Sequence, residues 1–555
     1  MQNFSNSGPS FGVFILEQPL RLYDKSGIEK NMMQRSVIVV RVLAAALGLL
    51  ALNATVSAQT RDTIVAALAA EPSTLDPTRM VGGGDQYYIG QMYEQLVRYD
   101  PDLKMVNWLA ESWSIEGTPD KPIIDVHLRD GVRFHNGDPL TSADFEFCYE
   151  RLRNPKISPY SYTQANIEKF EIIDDHHFKL HFKAPDGNYI PNALQLWAIP
   201  KKYFEKVGED GFAKAPVGTG PWKFVSRSIK EDLKLEAFED YWNKDARPKV
   251  KNLVLKVIPE DFTRVAAFKS GAVDWIDTVP LSAVGEFKKM PGVTTFSPVA
   301  NNNLYIDMAA DKPESPFSKL KVRQAVAHAV DVDAIIKNVL FGQGQRYVEV
   351  GKGETGYDPD LKPYPYDLKK AKQLLAEAGY PNGFETPCYN LLTPREPNVK
   401  EMGEAVFAYL GTVGIRCKVQ GLEYSAWVAL ARRGHAPPEM DGLLPFMWGH
   451  GLPGDPAEPW TGTVHSFVPG KGFGVFSHTS DPKADAMIED LKNTMIPENR
   501  AELIKQIARY KHANVLGGVT TYRPIVTFAW RDNIAFRPWP WPGQWRAFQE
   551  VSFKK

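Results

Sequence analysis

The chain has 555 residues, 43% of them hydrophobic and 24% charged, enough to bury a large core and to divide into two or three domains. Lys plus Arg number 65 and Asp plus Glu 66. That balance excludes the basic excess expected of a nucleic-acid binder and the acidic excess of a disordered tail. Residues 33–58 read as a secretory signal: Arg35 and Arg41 form the positive end, residues 42–52 are an apolar run, and Val56-Ser57-Ala58 fits small-residue cleavage. The apolar run falls well short of the roughly 20 residues that span a bilayer. The mature chain is therefore expected to start at Gln59, and residues 1–31 suggest that translation begins at Met32 or Met33. No cysteine stands at the cleavage site, so a soluble periplasmic protein fits better than a lipoprotein. Nothing later is long and apolar enough to span, so any translocation pore must be another polypeptide.

From Thr60 onward short strand patterns mix with helices, which is α/β in character. Gly82-Gly83-Gly84-Asp85 leads into an expected helix carrying Tyr87 and Tyr88. The triplet lacks a following Gly-Lys-Ser or Gly-Lys-Thr, so it is not a phosphate loop. Residues 124–128 alternate apolar and polar as a half-buried strand does, and Asp130-Gly131 with Val132 and Phe134 predicts a hairpin return. Thr141 or Ser142 should cap a helix whose apolar residues are Phe145, Cys148, Tyr149 and Leu152. His176, His177 and His181 come close together. Phe178, Leu180 and Phe182 alternate with His177, Lys179 and His181, so the latter occupy a polar strand face, where Lys179 would repel a cation. Helices are expected over residues 260–269, 332–341 and 367–378, ended by Gly271, Gly342 and Gly379, the last capped by Asp367 and apolar along Leu368, Ala371, Leu375 and Ala378. Cys388 and Cys417 lie in two strand-like runs separated by a helix-like stretch, as a disulfide on neighbouring strands or as two buried thiols. The run Arg537-Pro538-Trp539-Pro540-Trp541-Pro542 reads either as a polyproline segment or as packing. No catalytic motif of the serine-hydrolase elbow, zinc-protease or Cys-x-x-Cys type is present.

The wording of residues 124–153, IDVHLRDGVRFHNGDPLTSADFEFCYERLR, resembles the signature region of the large solute-binding proteins of ABC importers, the family that carries dipeptides, oligopeptides, nickel chelates and opines. The resemblance continues in order through Tyr93-Glu94-Gln95-Leu96-Val97, Leu109-Ala110-Glu111-Ser112-Trp113, Val217-Gly218-Thr219-Gly220-Pro221-Trp222, Asp240-Tyr241-Trp242, Ser270-Gly271-Ala272-Val273-Asp274, Val322-Arg323-Gln324-Ala325-Val326 and the stretch 371–379. It implies an α/β, two-lobed periplasmic-binding-protein fold of the large type, with an extra subdomain in lobe one and the lobes joined by a two-strand hinge. The implied divisions are leader and signal over 1–58, lobe one over 59–298 with the subdomain at about 98–215, lobe two over 299–519, and a return to lobe one over 520–555. The crossings are expected near 301–308 and 520–530. The implied function is capture of a small molecule or peptide by a monomer that needs no cofactor and delivers its cargo to an inner-membrane permease with ATPase subunits.

A binder of small polar ligands needs aromatic walls and a few fixed charges. Arg395, in the Pro-bracketed loop Leu391-Leu392-Thr393-Pro394-Arg395-Glu396-Pro397, resembles the arginine that clamps the ligand carboxylate in dipeptide-binding relatives; a surface pair with Glu396 or Glu404 is the plainer reading. Trp448 resembles a ligand wall of peptide-binding relatives. Where those relatives offer an aspartate to the ligand ammonium, this chain has His450 and Gly451, with Asp455 further along before Pro456. Tyr87 and Tyr88 fall near where relatives place cleft residues. The expected ligand set is therefore Tyr87, Tyr88, Arg395, Trp448, His450 and Asp455, with peptide-like cargo favoured and opines, chelated metal and oligosaccharides left open. Two other classes compete: a secreted amide or hydrazide hydrolase, and a periplasmic chaperone or signalling receptor.

Overall fold

A computed structural model describes residues 62–80, 83–100, 104–185, 193–300, 302–392, 398–423, 442–449, 458–468, 478–494, 497–537 and 547–554. The expected leader and signal, residues 1–58, lie outside them. No described helix is long and apolar enough to cross a membrane.

Two sheets organise the chain. The first has seven strands in the spatial order Val293–Phe296, Phe528–Arg531, Trp275–Ile276, Thr63–Leu68, Asn252–Val257, Asp232–Ala237 and Trp222–Ser228. Its central strand Thr63–Leu68 runs parallel to both neighbours and, like a strand covered on both faces, is nearly continuous in apolar residues. The second has five strands in the order Ile415–Leu422, Phe384–Leu391, Leu443–Gly449, Asn302–Met308 and Val519–Thr520. Each sheet is packed into its own apolar core. The C-terminal stretch returns to the first: Trp275 stacks on Trp530 at 4.8 Å, and Phe536 and Phe548 meet Trp275 edge-on. Each such pair adds about 0.5–1.5 kcal/mol beyond its buried area.

The chain passes between the sheets twice. Residues 297–300 and 521–527 run side by side, with Val299 bridged to Ile525, the Ala300 amide donating to the Pro524 carbonyl at 2.8 Å, and the Val526 amide to Pro298 at 3.1 Å. The first lies just before the expected 301–308, and the second falls within the expected 520–530. Asn302–Met308 belongs wholly to the five-stranded sheet and Phe528–Arg531 wholly to the seven-stranded one.

A further four-stranded antiparallel sheet, Ala110–Thr118, Lys121–Leu128, His177–Phe182 and Ile167–Asp174, is covered by the helix Ser142–Leu152. The expected hairpin after Leu128 does not form. Residues 121–128 pair with 110–118 and 177–182 instead, and the turn at Gly131, with φ +75°, sends the chain out of the sheet. Val132 and Phe134 close a small loop on Leu140 and Asp138, and the His135 amide donates to Gly218. Alternation marked these residues as extended, but a neighbouring strand that pairs along Ser112 to Thr118 outcompetes a short return. The helix begins as expected: the Asp144 carboxylate accepts both the Thr141 amide, at 2.9 Å, and its hydroxyl, and Phe145, Cys148, Tyr149 and Leu152 are buried.

The three later helices expected from the sequence are Asp261–Lys269, Val332–Asn338 and Leu368–Glu377, the last two capped by the Asp331 and Asp367 side chains. Cys388 and Cys417 sit on parallel neighbours and form a disulfide, which settles the pairing that spacing left open.

Candidate functional site

The parallel strands Phe384–Leu391 and Leu443–Gly449 are neighbours, so their carboxyl ends emerge on one edge of the five-stranded sheet. The antiparallel strand Asn302–Met308 begins on that same edge, with Asn302 opposite Gly449 and Asn303 opposite Trp448. The first crossing enters there. In the seven-stranded sheet the parallel strands Thr63–Leu68 and Trp275–Ile276 likewise end toward the crossing, where the Val279 amide donates to Thr527 at 2.8 Å. In open α/β sheets the space beyond the carboxyl ends of the strands is where ligands bind, because loops of different origin converge there.

Behind the edge of the second sheet stands a buried polar network. Arg523, 8% exposed, donates through Nε to Asn303 at 2.6 Å, through one terminal nitrogen to Glu354 at 2.5 Å and through the other to the Tyr347 hydroxyl at 2.7 Å. The Tyr347 hydroxyl in turn donates to Glu354 at 2.6 Å, and the guanidinium lies 3.8 Å above the Tyr347 ring. Asn303 donates to the buried Tyr305 hydroxyl at 2.9 Å. The strand residue opposite Trp448 is thus held from behind by a saturated cluster, which fixes that edge. Nothing in the linear sequence marks Arg523 for this role, since Asn303, Tyr347 and Glu354 are each remote from it.

The motifs of the first lobe converge on a second buried centre. Glu94, 5% exposed, accepts from Trp108 Nε1 at 2.6 Å, Tyr241 Oη at 2.5 Å and Trp242 Nε1 at 3.0 Å. Arg98 lies 3.3 Å over the Trp108 ring. Gly220 donates its amide to Met92, and a Cβ at Gly218 would stand 2.1 Å from the Met92 carbonyl oxygen, so the backbone approach requires glycine. His135 accepts the Gly218 amide on Nδ1 and donates from Nε2 to Gly220 at 2.9 Å; burial lowers its pKa to about 4 and keeps it neutral. His135 therefore holds this loop. These motif residues build the lobe.

Of the expected ligand residues, Tyr87 is half-buried on the helix Gly83–Met92 and packs against the first core. Tyr88 is corrected to a core residue: it is 1% exposed and its hydroxyl donates to the Ala70 carbonyl at 2.8 Å, because it falls on the inward face of that helix. Trp448 lies on Leu443–Gly449 opposite Asn303. Arg395, His450 and Asp455 lie outside the described residues, as do residues 538–542 of the tryptophan-proline run. Cys148 is fully buried and its thiol is pushed up to about 12 by burial, which leaves it without nucleophilic character at neutral pH.

A family model described as bacterial extracellular solute-binding proteins, family 5 Middle, matches residues 104–460. Heme-binding protein A of Haemophilus influenzae is 28% identical over 476 residues, 80% of this chain and 84% of that protein. Di/tripeptide-binding protein 1 of Pseudomonas aeruginosa is 28% identical over 534 residues, 90% of this chain and 96% of that one. Among solved structures, HbpA2 from Haemophilus parasuis matches with TM-score 0.75 at 26% identity, over 89% of this chain and 100% of that chain. AgaA from A. tumefaciens R10, in complex with agropinic acid, matches with TM-score 0.74 at 25% identity, over 89% and 99%. Two sheets whose carboxyl edges meet at a double crossing, and a family match over more than half the sequence, lead to one conclusion: the chain belongs to the bacterial extracellular solute-binding proteins, family 5.

Proposed function

We propose that this protein captures a peptide or peptide-like solute between its two lobes in the periplasm and presents it, chemically intact, to an ABC permease. The observation that carries the reading is the placement of the edge bearing Asn303 and Trp448 at the double crossing, in a family of solute binders. A ligand that touches both lobes only when they are closed shifts the equilibrium toward closure, and moving it from 1:99 to 99:1 takes about 5.5 kcal/mol of differential affinity. One bidentate arginine pair with aromatic burial supplies that scale. We assign the carboxylate clamp to Arg395 and a ligand wall to Trp448, with Tyr87, His450 and Asp455 as further contacts, by resemblance to peptide-binding relatives. His450 and Gly451 replace the ammonium-binding aspartate, which favours cargo with a blocked or absent α-amine.

Calorimetric titration of the chain from Gln59 to Lys555 with dipeptides, tripeptides, glutathione, an opine acid and haem, each followed by mass spectrometry of the recovered ligand, tests this reading. Tight binding of a peptide-like carboxylate without turnover is expected. Arg395→Ala should weaken it by more than about tenfold, the scale of a lost charge-assisted bond. Preference for haem over every peptide, or recovery of a cleaved ligand, would overturn the assignment.

A further inference from the structure

We infer that the four-stranded sheet of the first lobe carries a site for one borderline divalent transition cation, of the Zn²⁺, Ni²⁺ or Cu²⁺ class, formed by Asp125, His127 and His177. The sequence directs attention to His176, His177 and His181. In the fold these diverge: His181 goes to Glu171 at 2.6 Å and His176 lies 3.4 Å from Asp130. What His177 meets is His127, directly opposite on the antiparallel neighbour, with their rings stacked at 4.1 Å and 19° apart. Asp125, two residues before His127 on the same face, completes the group.

Both imidazoles aim Nε2 at the same carboxylate oxygen. His177 Nε2 is 2.9 Å and His127 Nε2 3.2 Å from Asp125 Oδ1, and the three donor atoms all lie within 4.8 Å of one another. Donors around a tetrahedral ion with bonds of about 2.0–2.1 Å stand roughly 3.3 Å apart. Entry of a cation therefore needs side-chain adjustments of tenths of an ångström to about one ångström and no change of backbone. Each neutral imidazole would ligate through the Nε2 lone pair with its single ring proton on Nδ1, so the change required is one of tautomer and no net proton is lost. Two nitrogens and one carboxylate oxygen suit a borderline cation better than Ca²⁺ or Mg²⁺, which take oxygen.

The surroundings are arranged as an outer shell would be. Lys179 Nζ lies 2.6 Å from the other oxygen of Asp125 and 2.9 Å from Glu116, which orients the carboxylate. Those two carboxylates offset the lysine charge that would otherwise repel a cation. The Asp125 side chain is 7% exposed while that of His127 is 52% exposed, so the group is anchored from below and open to water above. A bound ion would tie the two central strands of this sheet together.

Titration of the chain from Gln59 to Lys555 with zinc chloride by calorimetry tests the site. One equivalent should bind in the micromolar range and raise the melting midpoint, because a ligand of the folded state stabilises it by mass action. His127→Gln, at a half-exposed position, and His177→Ala should each weaken binding by at least the roughly tenfold that even an outer-shell loss produces. Melting without zinc reports whether each variant is folded, and His181→Ala should bind as the parent does. Absence of stoichiometric binding, or equal zinc affinity in the parent and both variants, would overturn the proposal.

Discussion

Glu94 in the first lobe and Glu349 in the second are the same side chain at nearly the same depth, 5% and 4% exposed, yet their surroundings treat the charge oppositely. The indoles of Trp108 and Trp242 and the phenol of Tyr241, which bond to Glu94, are all neutral. Burial dominates there and raises its pKa, which the hydrogen bonds only partly offset. Burial pushes Glu349 the same way, but the Lys511 ammonium at 2.6 Å and His512 at 3.9 Å override it and hold the carboxyl below its ordinary range. Partner charge decides the outcome, because a cation favours ionisation in a way that a neutral donor in the same dry setting does not. Around Glu94 the first lobe gathers motif aromatics, whereas around Glu349 the second sets an ion pair.

The largest effect should come from breaking the ion pair of the second lobe. Lys511→Met leaves Glu349 buried beside Thr520 with its main counter-charge gone, and should lower the unfolding free energy by about 3–5 kcal/mol. Urea unfolding at neutral pH measures it. An unchanged midpoint would mean that His512 or water replaces the ammonium, and the contrast between the lobes would weaken. The next effect is covalent. Cys388 and Cys417 are 29 residues apart, so replacing both with Ala should cost about 3.6 kcal/mol by the loss of loop closure in the unfolded chain. Dithiothreitol added to the parent should give the same shift. The first lobe, whose described cysteine Cys148 is a buried free thiol, should not respond to the reductant.

What the sequence made legible follows the same division. Cap residues and terminal glycines located the helices Asp261–Lys269 and Leu368–Glu377 almost to the residue, because capping is chemistry between near neighbours. The polar face of His177, Lys179 and His181 was legible from alternation alone. Partners across the sheet were not: Val132 and Phe134 are buried but form no return strand, and strand 121–128 chose residues 110–118 and 177–182. Glu94, Trp108, Tyr241 and Trp242 were present in or beside the motifs, but their convergence on one carboxylate needs the fold. Arg523 with Glu354, and His127 with His177, are contacts of distant residues that no periodicity encodes. Tyr88 shows the limit within one helix, since two adjacent tyrosines face different surroundings and only packing says which is inside.

The smallest effect, and the sharpest test of the comparison, is in the sign of the pH dependence. Glu94 has its folded pKa raised above the ordinary 4.5, so its contribution to stability is present below that value and is lost as pH rises through the raised one. Glu349 has its folded pKa lowered from 4.5, so its contribution is present above that value and is lost as pH falls through the lowered one. Glutamine removes each titration while keeping the shape. The stability difference between the parent and Glu94→Gln should therefore shrink as pH is raised from about 4 to about 7, and that between the parent and Glu349→Gln should shrink as pH is lowered from about 7 to about 3. Urea midpoints over that range give both slopes. Opposite slopes require that neutral and cationic partners set the two carboxylates apart, whereas parallel slopes would mean that depth alone governs both.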